Sequence, residues 1–122
     1  MSKKLLPFLL LVLLSLPVSK ADAARFSGAY LLHLCEMEAQ GGEKVRGGHA
    51  ACQAYISAIV DYHNVLQSLK MAPDLKICIS DEITPYELHK TVLNYLRNNS
   101  QHDDFVASPA VTMALFDKYP CK

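Results

Sequence analysis

The stretch HAACQAYISAIVDYHNV (His49–Val65) decides the fold. Its apolar positions 52, 55, 56, 59, 60 and 63, with 66 just beyond, recur at intervals of three and four. That is the spacing of one face of an α-helix. The helix is read from about His49 to Lys70, with Pro73 beyond its end. The same stretch raises a chemical question, because it carries both Cys52 and His63. A general base must lie about 3 Å from the proton it takes. Eleven residues of one helix separate the two side chains by about 16 Å. They form no catalytic dyad within the chain, and Cys52 must find another role.

Working outward, Gly41-Gly42 and Gly47-Gly48 bracket the loop GGEKVRGG, which separates this helix from an earlier one at about Ser27 to Ala39. Downstream, ITPYEL gives the best-marked helix start in the chain. Thr84 is the N-cap, Pro85 stands at the first helical position and Glu87 completes a capping box. Ile83 and Leu88 form the hydrophobic staple around it. The apolar face is Leu88, Val92, Tyr95 and Leu96, and the helix should end near Asn98-Asn99. After the polar loop NNSQHDDFVA, Ser108 is read as the cap of a fourth helix. Pro109 takes its first position, and Pro120 stops it after Tyr119. No strand-like alternation competes. The fold class is all-α, a small disulfide-stapled up-and-down bundle of about four helices.

The N-terminus reads differently. Lys3 and Lys4 precede the apolar run Leu5–Val18, and Ala21-Asp22-Ala23 has the A-x-A form of a cleavage site. Residues 1–23 are expected to be a cleavable signal peptide, and 24–122 a single helical domain. The apolar run is too short for comfortable membrane insertion, so no stable membrane anchoring is expected after cleavage. Removing Lys3, Lys4, Lys20 and Asp22 leaves 9 basic and 11 acidic residues. That balance offers no patch for nucleic acid.

All four cysteines, Cys35, Cys52, Cys78 and Cys121, fall in the expected exported part. An even count in a small exported chain reads as a disulfide framework. Three pairings are possible on paper. In an up-and-down bundle Cys35 ends the first helix and Cys52 begins the second, at one end of a hairpin. Cys78 precedes the third helix and Cys121 follows the fourth, at the other end. The expected bridges are therefore Cys35–Cys52 and Cys78–Cys121, since bridge geometry does not span a bundle's length. His33, Cys35, His49 and Cys52 together would satisfy zinc, but the spacing is unfamiliar and the surroundings oxidising. No metal or other cofactor is expected. His63, on the apolar stripe, is read as a hydrogen-bonded core histidine, and Tyr55, Tyr95 and Phe116 as core. There is no nucleophile elbow and no phosphate-binding glycine loop, so no enzyme activity is expected.

Taken together, Cys52-Gln-Ala54-Tyr55-Ile56-Ser-Ala58-Ile-Val-Asp61 resembles the C-x-G-Y-I-x-G-x-x-D motif of the Rap/Tai immunity family. Cys78-Ile79, Ile83-Thr84, the helix with Leu88, Val92, Tyr95 and Leu96, Pro109-Ala110, Ala114-Leu115 and Tyr119-Pro120-Cys121 follow in the order expected of it. The similarity runs from about Gly28 to Cys121. Alanines 54 and 58 replace the two motif glycines, and Ser80 replaces a usual proline. The resemblance implies a periplasmic, non-catalytic, often dimeric protein that neutralises a peptidoglycan-amidase effector of type VI secretion by occluding its cleft. By that analogy the partner-binding candidates are His102, Asp103, Asp104 and Phe105 in the loop Asn99–Ala107. Phe105 supplies an apolar anchor in an acidic setting. A solvated loop with Phe105 folded onto the core is the competing reading. GGEKVRGG is the second candidate loop, more simply a flexible connector. A different class, a small helical carrier or chaperone for an apolar ligand, stays open and requires a cavity.

Overall fold

The computed structural model describes residues 26–72 and 74–122. The expected signal peptide lies outside the described residues. The described chain forms four α-helices: α1 (Gly28–Cys35), α2 (Gly48–Ser68), α3 (Pro85–Asn98) and α4 (Ala107–Lys118), with a 3₁₀ turn at Ser100–His102. Only isolated bridges, and no named strands, accompany them among the described residues. None of these helices is long and apolar enough to cross a membrane.

The core is built from the stripes the helix periods predict. Leu31 and Cys35 come from α1, Cys52 and Ile56 from α2, Leu88, Val92, Leu93 and Leu96 from α3, and Ala110, Val111, Ala114 and Leu115 from α4. Tyr55, Tyr95 and Phe116 pack half-buried against it. The disulfides join Cys35 to Cys52 (S–S 2.01 Å) and Cys78 to Cys121 (1.97 Å), and no cysteine among the described residues is free. Such bridges fit an oxidising compartment.

At Thr84 both halves of the capping box are made. The Thr84 hydroxyl accepts the Glu87 N–H at 3.2 Å, and the Glu87 carboxylate accepts the Thr84 N–H at 2.8 Å. The Thr84 hydroxyl also donates to that carboxylate at 3.0 Å, and the two bonds the carboxylate accepts from Thr84, backbone first, hold the Glu87 carboxyl below its ordinary pKa.

Two helix boundaries differ from the expectation. The first helix stops at Cys35 rather than near Ala39, because Glu36 turns to an extended conformation (φ −56°, ψ 141°). The chain then folds into a hydrogen-bonded turn, with Glu38 N–H donating to the Gly42 carbonyl at 2.7 Å and Gly41 at φ 86°. The GGEKVRGG loop is thus ordered rather than a flexible connector. Glu43 receives the N–H groups of Gly47 (2.9 Å) and His49 (3.3 Å), supplying the cap for α2 that Gly47 cannot. Those two backbone bonds, Gly47 first, also depress the Glu43 pKa.

The fourth helix starts at Ala107, two residues earlier than a Ser108 cap with Pro109 at the first position requires, and Val106 gives no side-chain cap. The Ala107 N–H is instead taken by the Phe26 carbonyl at 2.8 Å. A tertiary contact has replaced the local one.

Between the helix ends, Arg97 grips Glu36 with Nε and Nη2 at 3.0 and 2.7 Å, and Lys44 Nζ stands 3.5 Å from the same carboxylate. The Arg97 hydrogen bond is the main reason the Glu36 pKa is lowered. The pair is partly exposed, so its worth is at most about 1 kcal/mol. Its effect is to tie the ends of α1 and α3 to the glycine loop.

Candidate functional site

The loop joining α3 to α4 carries His102, Asp103, Asp104 and Phe105, and it also completes α1. A helix begins with N–H groups that have no partner in its own chain turn. Here the Gly28 N–H donates to the Phe105 carbonyl (2.9 Å) and the Ala29 N–H to the Asp103 carbonyl (3.1 Å). The next two, Tyr30 and Leu31, donate to the Ser27 hydroxyl and carbonyl. Within the loop, His102 N–H donates to Asn99, Asp103 N–H to Ser100 and Phe105 N–H to His102, at 3.0–3.2 Å. The Asn99 amide donates to the Tyr95 carbonyl at 2.8 Å, and the Tyr95 hydroxyl meets His102 Nε2 at 3.3 Å. The backbone of this segment is therefore fixed from both sides.

Two of its candidate side chains, Asp104 and Phe105, are presented outward. Phe105 is 68% exposed, with Val106 and Tyr30 also exposed. Phe105 is not folded onto the core. The aromatic packing is made by other rings: Phe26 stacks on Tyr55 at 4.3 Å and meets Tyr30 edge-on at 4.9 Å. Asp104 is exposed, while Asp103 and His102 are half-buried. Asp103 Oδ1 is buried and has no hydrogen-bond partner among the described residues. The four candidates thus lie together on a rigid loop whose outer face is one aromatic ring and one free carboxylate, with a second carboxylate set further in.

The other candidates separate. Cys35 and Cys52 are fully buried and bonded to each other, so neither offers a thiolate to a substrate or to zinc. His33 is exposed on the surface. The imidazole beside the sulfurs is that of His89, which the sequence reading passed over; one of its ring nitrogens lies within 4.8 Å of both. His89 is fully buried, donates from Nε2 to the Cys35 carbonyl at 2.7 Å, and accepts from the Gln53 amide at Nδ1 (3.3 Å). Burial pushes its pKa below the ordinary histidine value, the Cys35 hydrogen bond opposes this, and His49 (ring centroids 4.7 Å apart) adds to the lowering. The signal was present in the helix period, because positions 89, 93 and 96 share a face. A histidine on such a face is easily read as polar surface.

His63 is a buried, hydrogen-bonded histidine, as its place on the stripe predicts. Its Nε2 accepts from the Ile77 N–H (3.4 Å) and the Gln67 amide (3.0 Å). The outer side of α2 is unexpectedly apolar. Ala51, Ala54, Ala58, Tyr62, Val65 and Leu69 are all exposed at helical spacing, so the two motif alanines lie on the exposed side of α2.

Among known families, the profile described as Rap1a immunity proteins matches residues 27–121, a span that takes in all four helices and both disulfides. No curated protein and no solved structure matches the chain.

Proposed function

This chain belongs to the Rap1a immunity protein family, and from that premise we propose that it is a periplasmic immunity protein. It binds a peptidoglycan amidase delivered by type VI secretion and occludes the amidase's cleft, with no catalysis of its own. The observation that carries this reading is Phe105, an exposed ring on a loop whose backbone is pinned to α1 by two hydrogen bonds. An anchor that is already ordered loses little entropy on binding, which is how a few residues come to dominate an interface. Asp104 beside it suits a cationic cleft rim and would speed encounter more than it tightens the complex. His102 and Asp103 hold the loop's shape.

The test begins with capture of the amidase by the protein from its native envelope, followed by calorimetry. Phe105→Ala with Asp104→Ala, both at exposed positions, is expected to weaken binding at least tenfold without changing the unfolding midpoint. Unchanged affinity would move the interface elsewhere.

A homodimer belongs to the same reading, and the outer face of α2 supports it. Its alanines 51, 54 and 58 occupy the N-terminal half and Tyr62, Val65 and Leu69 the C-terminal half. Antiparallel pairing with a second copy sets each large side chain against a small one, as close helix packing requires.

A further inference from the structure

The end of the α1–α2 hairpin collects metal-ligating side chains from three helices. Cys35 closes α1, Cys52 lies near the start of α2, and His89 comes from α3. Both sulfurs and one ring nitrogen of His89 lie within 4.8 Å of one another, and all three residues are fully buried. Among the described residues this is the one group of three such side chains placed so closely. A second imidazole adjoins it. His49 precedes Cys52 by three residues, so the two share a side of α2. Its ring meets that of His89 edge to face at 4.7 Å between centroids. His49 Nε2 is buried and has no hydrogen-bond partner among the described residues. Buried polar atoms are nearly always paired, so this nitrogen calls for an explanation.

His89 already has the tautomer a metal ligand needs. A carbonyl oxygen can only accept, so Nε2, 2.7 Å from the Cys35 carbonyl, carries the proton. The lone pair is on Nδ1, where the Gln53 amide rests at 3.3 Å. A metal-bound imidazole commonly donates its other N–H to a backbone carbonyl in this way, which fixes the ring and raises its basicity. Two sulfurs and two imidazoles are the donor set of structural zinc, and their softness decides against magnesium and calcium.

We infer that these four side chains form a zinc site in the dithiol form of the protein, with Cys35, Cys52, His89 through Nδ1 and His49 through Nε2 as ligands. The bridged form cannot hold the ion, because each sulfur is bonded to the other. Opening the bridge takes two electrons and two protons. A phosphine or dithiol supplies the electrons and is itself oxidised, and two thiols result. Zinc then displaces the two thiol protons, and two Zn–S bonds replace the one S–S bond. The end of α1 stays joined to the start of α2, with α3 now tied to both through His89. A chain whose bridge has not yet formed carries the same two thiols. The site stands apart from the Phe105 loop and does not depend on the immunity reading.

The experiment reduces the protein with a phosphine without air, removes the excess, and titrates with cobalt(II), a spectroscopic stand-in for zinc. One equivalent is expected to give tetrahedral d–d bands and a thiolate-to-metal charge-transfer band, with helical circular dichroism retained. Zinc should then displace the cobalt. Cys78→Ser with Cys121→Ser should keep the bands, and Cys35→Ser with Cys52→Ser should lose them. His89→Gln and His49→Phe should each weaken binding at least about tenfold. His33→Ala, at an exposed position, should leave it, and the bridged parent should show no charge-transfer band. Absence of that band after reduction, its persistence in Cys35→Ser with Cys52→Ser, or loss of helicity in the metal-loaded protein would overturn the inference. So would unchanged affinity in either His89→Gln or His49→Phe.

Discussion

Gly28 packs so closely on the His102 carbonyl that a Cβ at position 28 would overlap it. The first helical residue and the exposed loop are thus one unit. Gly28→Ala must push the segment 102–105 outward, breaking the bonds from Gly28 and Ala29. Overpacking of this kind costs about 1–3 kcal/mol. The expected outcome is a lower urea midpoint together with weaker effector binding, although residue 28 is buried and touches no partner. Normal binding by a destabilised Gly28→Ala protein would show that loop geometry is not what the partner reads.

His89 makes stability depend on pH. Its pKa is lowered on folding, chiefly by burial, so the unfolded chain takes up the proton first as pH falls. The contribution of neutral His89 is complete above the unfolded value of about 6.5 and is lost as pH falls through the folded value. Urea midpoints should therefore decline below about pH 6.5. His89→Gln should be less stable at pH 7, with a flatter profile between pH 6.5 and 5. An unchanged slope would exclude His89 as the titrating group.

The two disulfides should separate under mild reduction. Cys35 and Cys52 are fully buried, whereas Cys78 is exposed. Mass spectrometry after limited exposure to a phosphine is expected to find Cys78–Cys121 opened first. Loop entropy assigns about 3 kcal/mol to the 17-residue separation and about 4 kcal/mol to the 43-residue one. Removing either as a serine pair should lower the midpoint by a comparable amount.

Thr84→Ala removes the hydroxyl that accepts the Glu87 N–H. The expected loss is about 1 kcal/mol, read from denaturant unfolding, and Thr84→Ser should restore most of it. No change would mean that the staple of Ile83 and Leu88 alone fixes the start of α3.

Tyr62→Asp places a charge on the outer face of α2. Sedimentation should find that variant monomeric where the parent dimerises, with helicity unchanged. A parent that is monomeric at all concentrations would remove the proposed dimer.

Sequence reasoning succeeded where the cause is local. The Thr84–Glu87 box, the α2 stripe around Cys52, Ile56 and His63, and the cysteines at matching helix ends follow from spacing within a few residues. It failed where a distant group intervened. Ser108 is a good cap by type, yet the Phe26 carbonyl reaches Ala107 first. His89 became core because the Cys35 carbonyl and the Gln53 amide satisfy both ring nitrogens, and neither partner is near it in sequence. The clustering of His102 to Phe105 was visible as composition. Their rigidity was not, because it comes from α1, 75 residues upstream of the loop.

The cysteine positions also impose an order in time. Under the proposed export, a chain emerging from its N-terminal end would present Cys35 and Cys52 together before Cys78 and Cys121. The first ring can close while α3 and α4 are still absent, and its only possible partner choice at that moment is the native one. By the time Cys78 emerges, two of the three possible pairings have been foreclosed. Under that export, delivery from the N-terminus and the short first span of 17 residues would both favour the Cys35–Cys52 bridge as the first to close.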